Sequence, residues 1–146
     1  MDNIKLLREE TGLSFAQIKK ALDEVLGDID AARLKLKEYS ASQAEKKADR
    51  EVSCGVIASY VHSTALMGSI ISLGCETDFV ASNPEFKTVA SDIAMHVCAI
   101  APETLEECLA QGYVKNSEIT VQEYINQAVQ KFGENIKLTN ITRFSI

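Results

Sequence analysis

Apolar residues recur every three or four positions through the opening quarter of the chain, in three short bursts separated by glycine. Ile4 and Leu7 share one face of a first helix that Asp2 can cap and Gly12 can end. The pattern restarts at Ser14, which with Gln17 forms a capping box ahead of Ile18, Leu22 and Val25, and Gly27 stops that helix. A third helix begins at Asp28 and carries Ile29, Ala32 and Leu36 on one stripe. The spacing predicts a three-helix bundle over residues 1–39, a core so small that it suits an appended recognition module. The polar stretch EYSASQAEKKADRE follows, and residues 40–52 read as a helix-permissive linker.

From Cys54 the period changes to two. Val56, Ala58, Tyr60 and His62 alternate with Ile57, Ser59 and Val61, which predicts a strand, and STALMG reads as its turn into a second strand over residues 69–75. The last segment, ENIKLTNITRFSI, reads as a third strand with Ile136, Leu138, Phe144 and Ile146 on one face and Lys137, Thr139 and Arg143 opposite. Between strands, Asn83 and Pro84 start a helix bearing Phe86, Val89, Ile93, Val97 and Ile100. After an irregular segment, Thr120 and Glu123 box the start of another, which runs through Val121, Ile125, Ala128 and Phe132 to Gly133. The fold class is α+β: a helical bundle, then residues 53–146 as a core of three antiparallel strands packed with helices.

Composition narrows the function. With 46% hydrophobic and 25% charged residues the chain is globular rather than disordered. Its net charge of −6 is uneven, because residues 1–50 hold ten basic and ten acidic side chains whereas the remainder holds five and eleven. That acidic remainder offers no surface for neutralising phosphates, which argues against direct nucleic-acid binding. No apolar run approaches the roughly 20 residues that span a bilayer, so the expectation is a cytoplasmic protein without membrane contact. No phosphate loop or dinucleotide fingerprint is present, and no cofactor is expected.

Cys54, Cys75, Cys98 and Cys108 show neither C-x-x-C nor metal-ligand spacing, and read as buried or free thiols. Cys75, His96 and Asp78 supply the parts of a nucleophilic site, but nothing in their spacing groups them. His96 follows Asp92 by four positions, the spacing of a helical side-chain pair, and Met95 beside it falls on the outer side of the helix. The sequence TDFVA poses a sharper question, since it sets Phe79 beside Asp78 in a loop, where large apolar side chains gain nothing from water.

Taken together, LREETG with KKAL, KKADRE, CETDFVA, IAMHV and KFGENI make the chain resemble the elongation factor Ts family over nearly its whole length. The resemblance implies a ubiquitin-associated-like bundle followed by an α+β exchange core. It implies a guanine nucleotide exchange factor for elongation factor Tu, with no covalent chemistry of its own. Leu7, Arg8, Thr11, Gly12 and Phe15 would meet the nucleotide domain of that GTPase. Phe15 and Ala16 stand where the family usually carries two methionines.

The same resemblance assigns Thr77, Asp78, Phe79, Val80 and Ala81, with Met95 and His96, to the exchange surface, Phe79 acting as a wedge near the partner's magnesium. Many members have two core halves and a helical coiled-coil insertion; this chain has one core and only PETLEECLAQGYVKNSE between its helices. Short members pair, so the expectation is a homodimer in which one subunit offers Phe79 and the other His96. The competing reading is an adaptor without exchange activity that binds through residues 1–39 alone.

Overall fold

The computed structural model describes residues 2–146. Three helices, α1 (Asp2–Thr11), α2 (Phe15–Glu24) and α3 (Ile29–Lys47), enclose a small core of Leu7, Leu13, Ile18, Ala21, Leu22, Ala32 and Leu36. Their ends follow the sequence signals. Ser14 and Gln17 complete a capping box, the Asp28 side chain accepts from the amides of Asp30 and Ala31, and Gly12 leaves α1 at φ +68.

The segment read as a linker behaves differently, because α3 continues through Lys47. Residues 40–47 contain no glycine or proline to stop a helix, and they find a second surface to cover. The first half of α3 buries Ala32 and Leu36 in the bundle, whereas its second half lies along α7 (Val121–Phe132), with Ala44 packed against the main core. One helix thus serves two cores on different faces. The buried Ser40 hydroxyl bonds to Gln130, and Lys37 reaches both the Glu123 carboxylate at 3.2 Å and the Glu118 carbonyl at 3.1 Å.

The main core is built on an antiparallel sheet of β1 (Cys54–Val61), β2 (Met67–Cys75) and β5 (Lys137–Ser145), in the order β1-β2-β5. Helix α5 (Pro84–Ile100) covers one face, burying Phe86, Val89, Ile93 and Val97 against Ile71 and Leu73. The one-turn helix α4 (Asp78–Ala81) precedes it. Where an irregular segment was expected, the chain forms α6 (Leu105–Ala110) and a hairpin of β3 (Gly112–Tyr113) and β4 (Asn116–Thr120). These elements are too short for their periodicity to be read.

The third strand corrects the expected facing. Leu73 pairs with Leu138 but Ser72 pairs with Asn140, so Thr139 is an extra residue in β5. A bulge of one residue inverts the alternation beyond it. Leu138 is buried as expected, but Ile141 and Arg143 then turn inward, and Phe144 and Ile146 turn out to solvent. Arg143 is accommodated because its Nε donates to the Cys98 carbonyl at 2.9 Å, near the C-terminal end of α5, where free carbonyls favour a cation. The bulge adds Phe144 to the uncovered face of the sheet, where Ile57, Val61 and Ile70 are also exposed.

Candidate functional site

TDFVA folds as a single helical turn rather than an open loop. Thr77 is its N-cap, with the hydroxyl accepting from the Val80 amide, and Ser82 closes it. Val80 and Ala81 pack inward on the core, which leaves Asp78 exposed and Phe79 85% exposed. An aromatic ring held this far into water on a turn anchored from beneath presents contact area with little backbone freedom to lose on binding.

The anchor comes from residues that periodicity did not single out. The Glu134 side chain accepts from the amides of Glu76 at 3.1 Å and Thr77 at 3.0 Å, and its second oxygen takes the Thr77 hydroxyl at 2.6 Å. In return Glu76 accepts from the Asn135 amide at 2.5 Å and faces Arg50 at 3.6 Å. The buried Asn135 side-chain amide donates to the carbonyls of Arg50 at 2.7 Å and Ala48 at 3.4 Å. Three separated motifs, KKADRE, CETDFVA and KFGENI, therefore meet in one polar knot under the Phe79 turn. The signal that places Glu134 there is Gly133, whose left-handed conformation (φ +72) ends α7 and redirects the chain.

His96 and Met95 are not at this turn. His96 is fully buried: its Nδ1 accepts from the Val114 amide at 3.1 Å and its Nε2 lies 3.0 Å from the Gln111 side-chain oxygen. The two bonds assign a neutral ring protonated on Nε2, and burial lowers its pKa. The expected Asp92–His96 pair does not form, because Asp92 is taken by Lys115 at 2.7 Å and by the Tyr124 hydroxyl at 3.1 Å. With no exposed surface, His96 secures the β3–β4 hairpin to α5 and offers its ring to no partner in this conformation; Met95 is half-buried. The Cys75–His96–Asp78 combination is not assembled either, since the Cys75 thiol donates to the Thr77 carbonyl at 3.2 Å and both ring nitrogens of His96 are engaged elsewhere.

In the bundle, Arg8 and Phe15 are exposed, Phe15 by 53%, and with Ile4, Lys5 and Glu9 they line a shallow hollow of about 410 Å³. Leu7 is core rather than surface, and the exposed residue beside it is Leu6. Thr11 bonds back to the Leu7 carbonyl at 2.6 Å, and Gly12 lies against Lys131 of α7, whose ammonium pairs with Glu85 at 2.8 Å. Thr11 and Gly12 thus shape the α1–α2 junction, and the side chains available for contact are Leu6, Arg8 and Phe15. No helix among the described residues is long and apolar enough to cross a membrane.

Comparison with known proteins converges on one family. Residues 76–146, which include the Phe79 turn and the Glu134 knot, match the family model described as elongation factor TS. The elongation factor Ts of Thermosipho melanesiensis is 32% identical over 98% of this chain and 96% of its own length, and that of Methylacidiphilum infernorum is 32% identical over 98% and 92%. The elongation factor Ts of Clostridium acetobutylicum is 39% identical over 97% of this chain but 46% of its own. The alignment to the Thermosipho protein runs over 188 positions, more than the 146 residues of this chain, so that relative carries internal residues without a counterpart here. With the bundle, the sheet and the match along nearly all its length, the chain belongs to the elongation factor Ts family of translation elongation factors.

Proposed function

We propose that the chain is a guanine nucleotide exchange factor that promotes GDP release from elongation factor Tu by inserting Asp78 and Phe79 near the magnesium site of that GTPase. The observation that carries this reading is the 85% exposure of Phe79 on a turn fixed by three hydrogen bonds to Glu134. A wedge must be rigid to displace anything, and it must be solvent-exposed beforehand. Magnesium ties the phosphates of a bound nucleotide to its GTPase, so moving its supporting groups weakens GDP at its most charged end. Coupling is reciprocal, so nucleotide entry weakens the factor in turn and helps release it. The chain needs no covalent chemistry, cofactor, nucleic acid or membrane for this, and acts in the cytoplasm.

The bundle supplies a second contact through Arg8 and Phe15, with Leu6 in the place expected for Leu7, while Thr11 and Gly12 set the junction. A homodimer forms through the uncovered sheet face, where Ile57, Val61, Ile70 and Phe144 need a partner surface. Met95, half-buried on α5, belongs to the exchange surface, whereas His96, fully buried, acts by holding the β3–β4 hairpin against α5. Release of fluorescent GDP from elongation factor Tu, measured with the intact chain and with Phe79→Ala and Asp78→Ala, tests the reading. Unchanged release rates in both variants refute it.

A further inference from the structure

Cys54 opens β1 and Cys75 closes β2, and the antiparallel register sets them directly opposite each other. Both lie on the helix-covered side of the sheet, Cys75 fully buried in the core and Cys54 half-buried against it. Opposed residues of an antiparallel pair stand about 4.5–5.5 Å apart at Cα. A disulfide spans about 4.4–6.8 Å at Cα, so the separation of the two strands lies within its reach. The next residue pins this register: at Gly55 (φ +157) a Cβ would fall 2.3 Å from the Leu73 carbonyl oxygen, an approach that only glycine permits.

We propose that Cys54 and Cys75 are a redox pair that closes to a cross-strand disulfide and so couples the thiol state of the protein to the Phe79 turn. Cys54 is the thiol that a small oxidant reaches, whereas burial pushes the Cys75 thiol up to about 11 and keeps it protonated until its neighbour is activated. The oxidant is a low-molecular-weight disulfide. The Cys54 thiolate attacks one of its sulfurs, expelling one small thiol and leaving a mixed disulfide. Cys75 then gives up its proton, and its thiolate attacks the Cys54 sulfur and expels the second small thiol. Two protein thiols become one disulfide, and their two hydrogens leave as two molecules of reduced small thiol.

The turn registers the change because the Cys75 S–H is a donor to the Thr77 carbonyl, and Thr77 is the cap of α4. A disulfide sulfur carries no proton. Closing the bridge removes that bond. The cross-link follows from the register alone; only its effect on nucleotide release rests on the exchange reading.

The test equilibrates the full chain with oxidised and reduced glutathione, then maps cysteines by mass spectrometry and follows backbone amide exchange. Expected are a peptide cross-linked between Cys54 and Cys75, reversal by dithiothreitol, persistence in a Cys98→Ser/Cys108→Ser variant and loss in Cys54→Ser or Cys54→Ala. Amides of Thr77 to Ala81 exchange at least about threefold faster in the oxidised form. A stable glutathione adduct on Cys54 with Cys75 still free overturns the pair, and a cross-link that leaves those amides unchanged overturns the coupling. Neither readout involves a GTPase, so failure of the exchange reading leaves both intact.

Discussion

Glu134 and Thr77, 57 positions apart in sequence, are joined by two hydrogen bonds, from the Thr77 amide at 3.0 Å and from its hydroxyl at 2.6 Å. Thr77 is held on one side by Glu134 and on the other caps the turn that carries Phe79. Replacing Glu134 with Ala removes the acceptor for three donors, the Glu76 amide included. Unsatisfied part-buried donors cost about 1–3 kcal/mol. Urea unfolding of Glu134→Ala is expected to fall within that range, with faster amide exchange at Thr77 and Val80 and slower GDP release. Glu134→Gln keeps one acceptor and lies between the two.

Phe79→Ala separates stability from function. Its ring is 85% exposed and supports no core, so the unfolding free energy stays within about 0.5 kcal/mol of the parent. GDP release falls by about 5- to 150-fold, the span of ordinary coupling free energies. Stopped-flow release and thermal unfolding on the same preparations check both. A large loss of stability would mean that the ring turns inward in solution.

The contrast between these two positions marks how far the sequence could be read. Phe79 was legible because an aromatic residue beside an Asp, ahead of an Asn-Pro helix start, is anomalous by itself. Glu134 was not, since a lone Glu after a helix stop looks like any solvated charge, and its partners lie 57 and 58 positions away. The boundaries of α2, α5 and α7 followed from caps that act within four residues. The bulge at Thr139 and the second face of α3 depend on neighbours distant in sequence, and periodicity carries no record of them. The partner of His96 was misread as Asp92 for the same reason: Gln111 and Val114, which it does bond, belong to elements too short to register as a pattern.

His96 makes the hairpin sensitive to acid. Its pKa is lowered by burial, and the folded ring accepts the Val114 amide on the nitrogen that would take the second proton. Tyr113 and Tyr124 stack at its side, and Asp92 is occupied by Lys115, so no free carboxylate stands by to stabilise an imidazolium. The unfolded chain therefore binds more protons than the folded one below the ordinary histidine pKa near 6.5. Stability is fully present above that value and is lost as pH falls towards the lower folded pKa. Urea midpoints from pH 7.5 to pH 5 are expected to decline, and in His96→Gln the decline from this source disappears. A parent midpoint that holds constant across that range would contradict the burial of a neutral ring.

Thr139 and Phe144 allow the dimer proposal to be tested independently of exchange. The extra residue at Thr139 turns Phe144, 66% exposed, onto the same uncovered face as Ile57, Val61 and Ile70, and away from the core that Leu138 fills. If that face pairs with a second copy, Phe144→Asp places a charge in each half of a symmetric interface, where it meets its own counterpart or an apolar wall. Burying unpaired charge costs several kcal/mol, enough to dissociate an interface of ordinary strength. Light scattering is expected to give a dimer for the parent and a monomer for Phe144→Asp. The monomer fold should persist, because Phe144 contributes nothing to the buried core. A parent protein that is monomeric at micromolar concentration would eliminate the paired sheet and leave the Phe79 turn acting from a single chain.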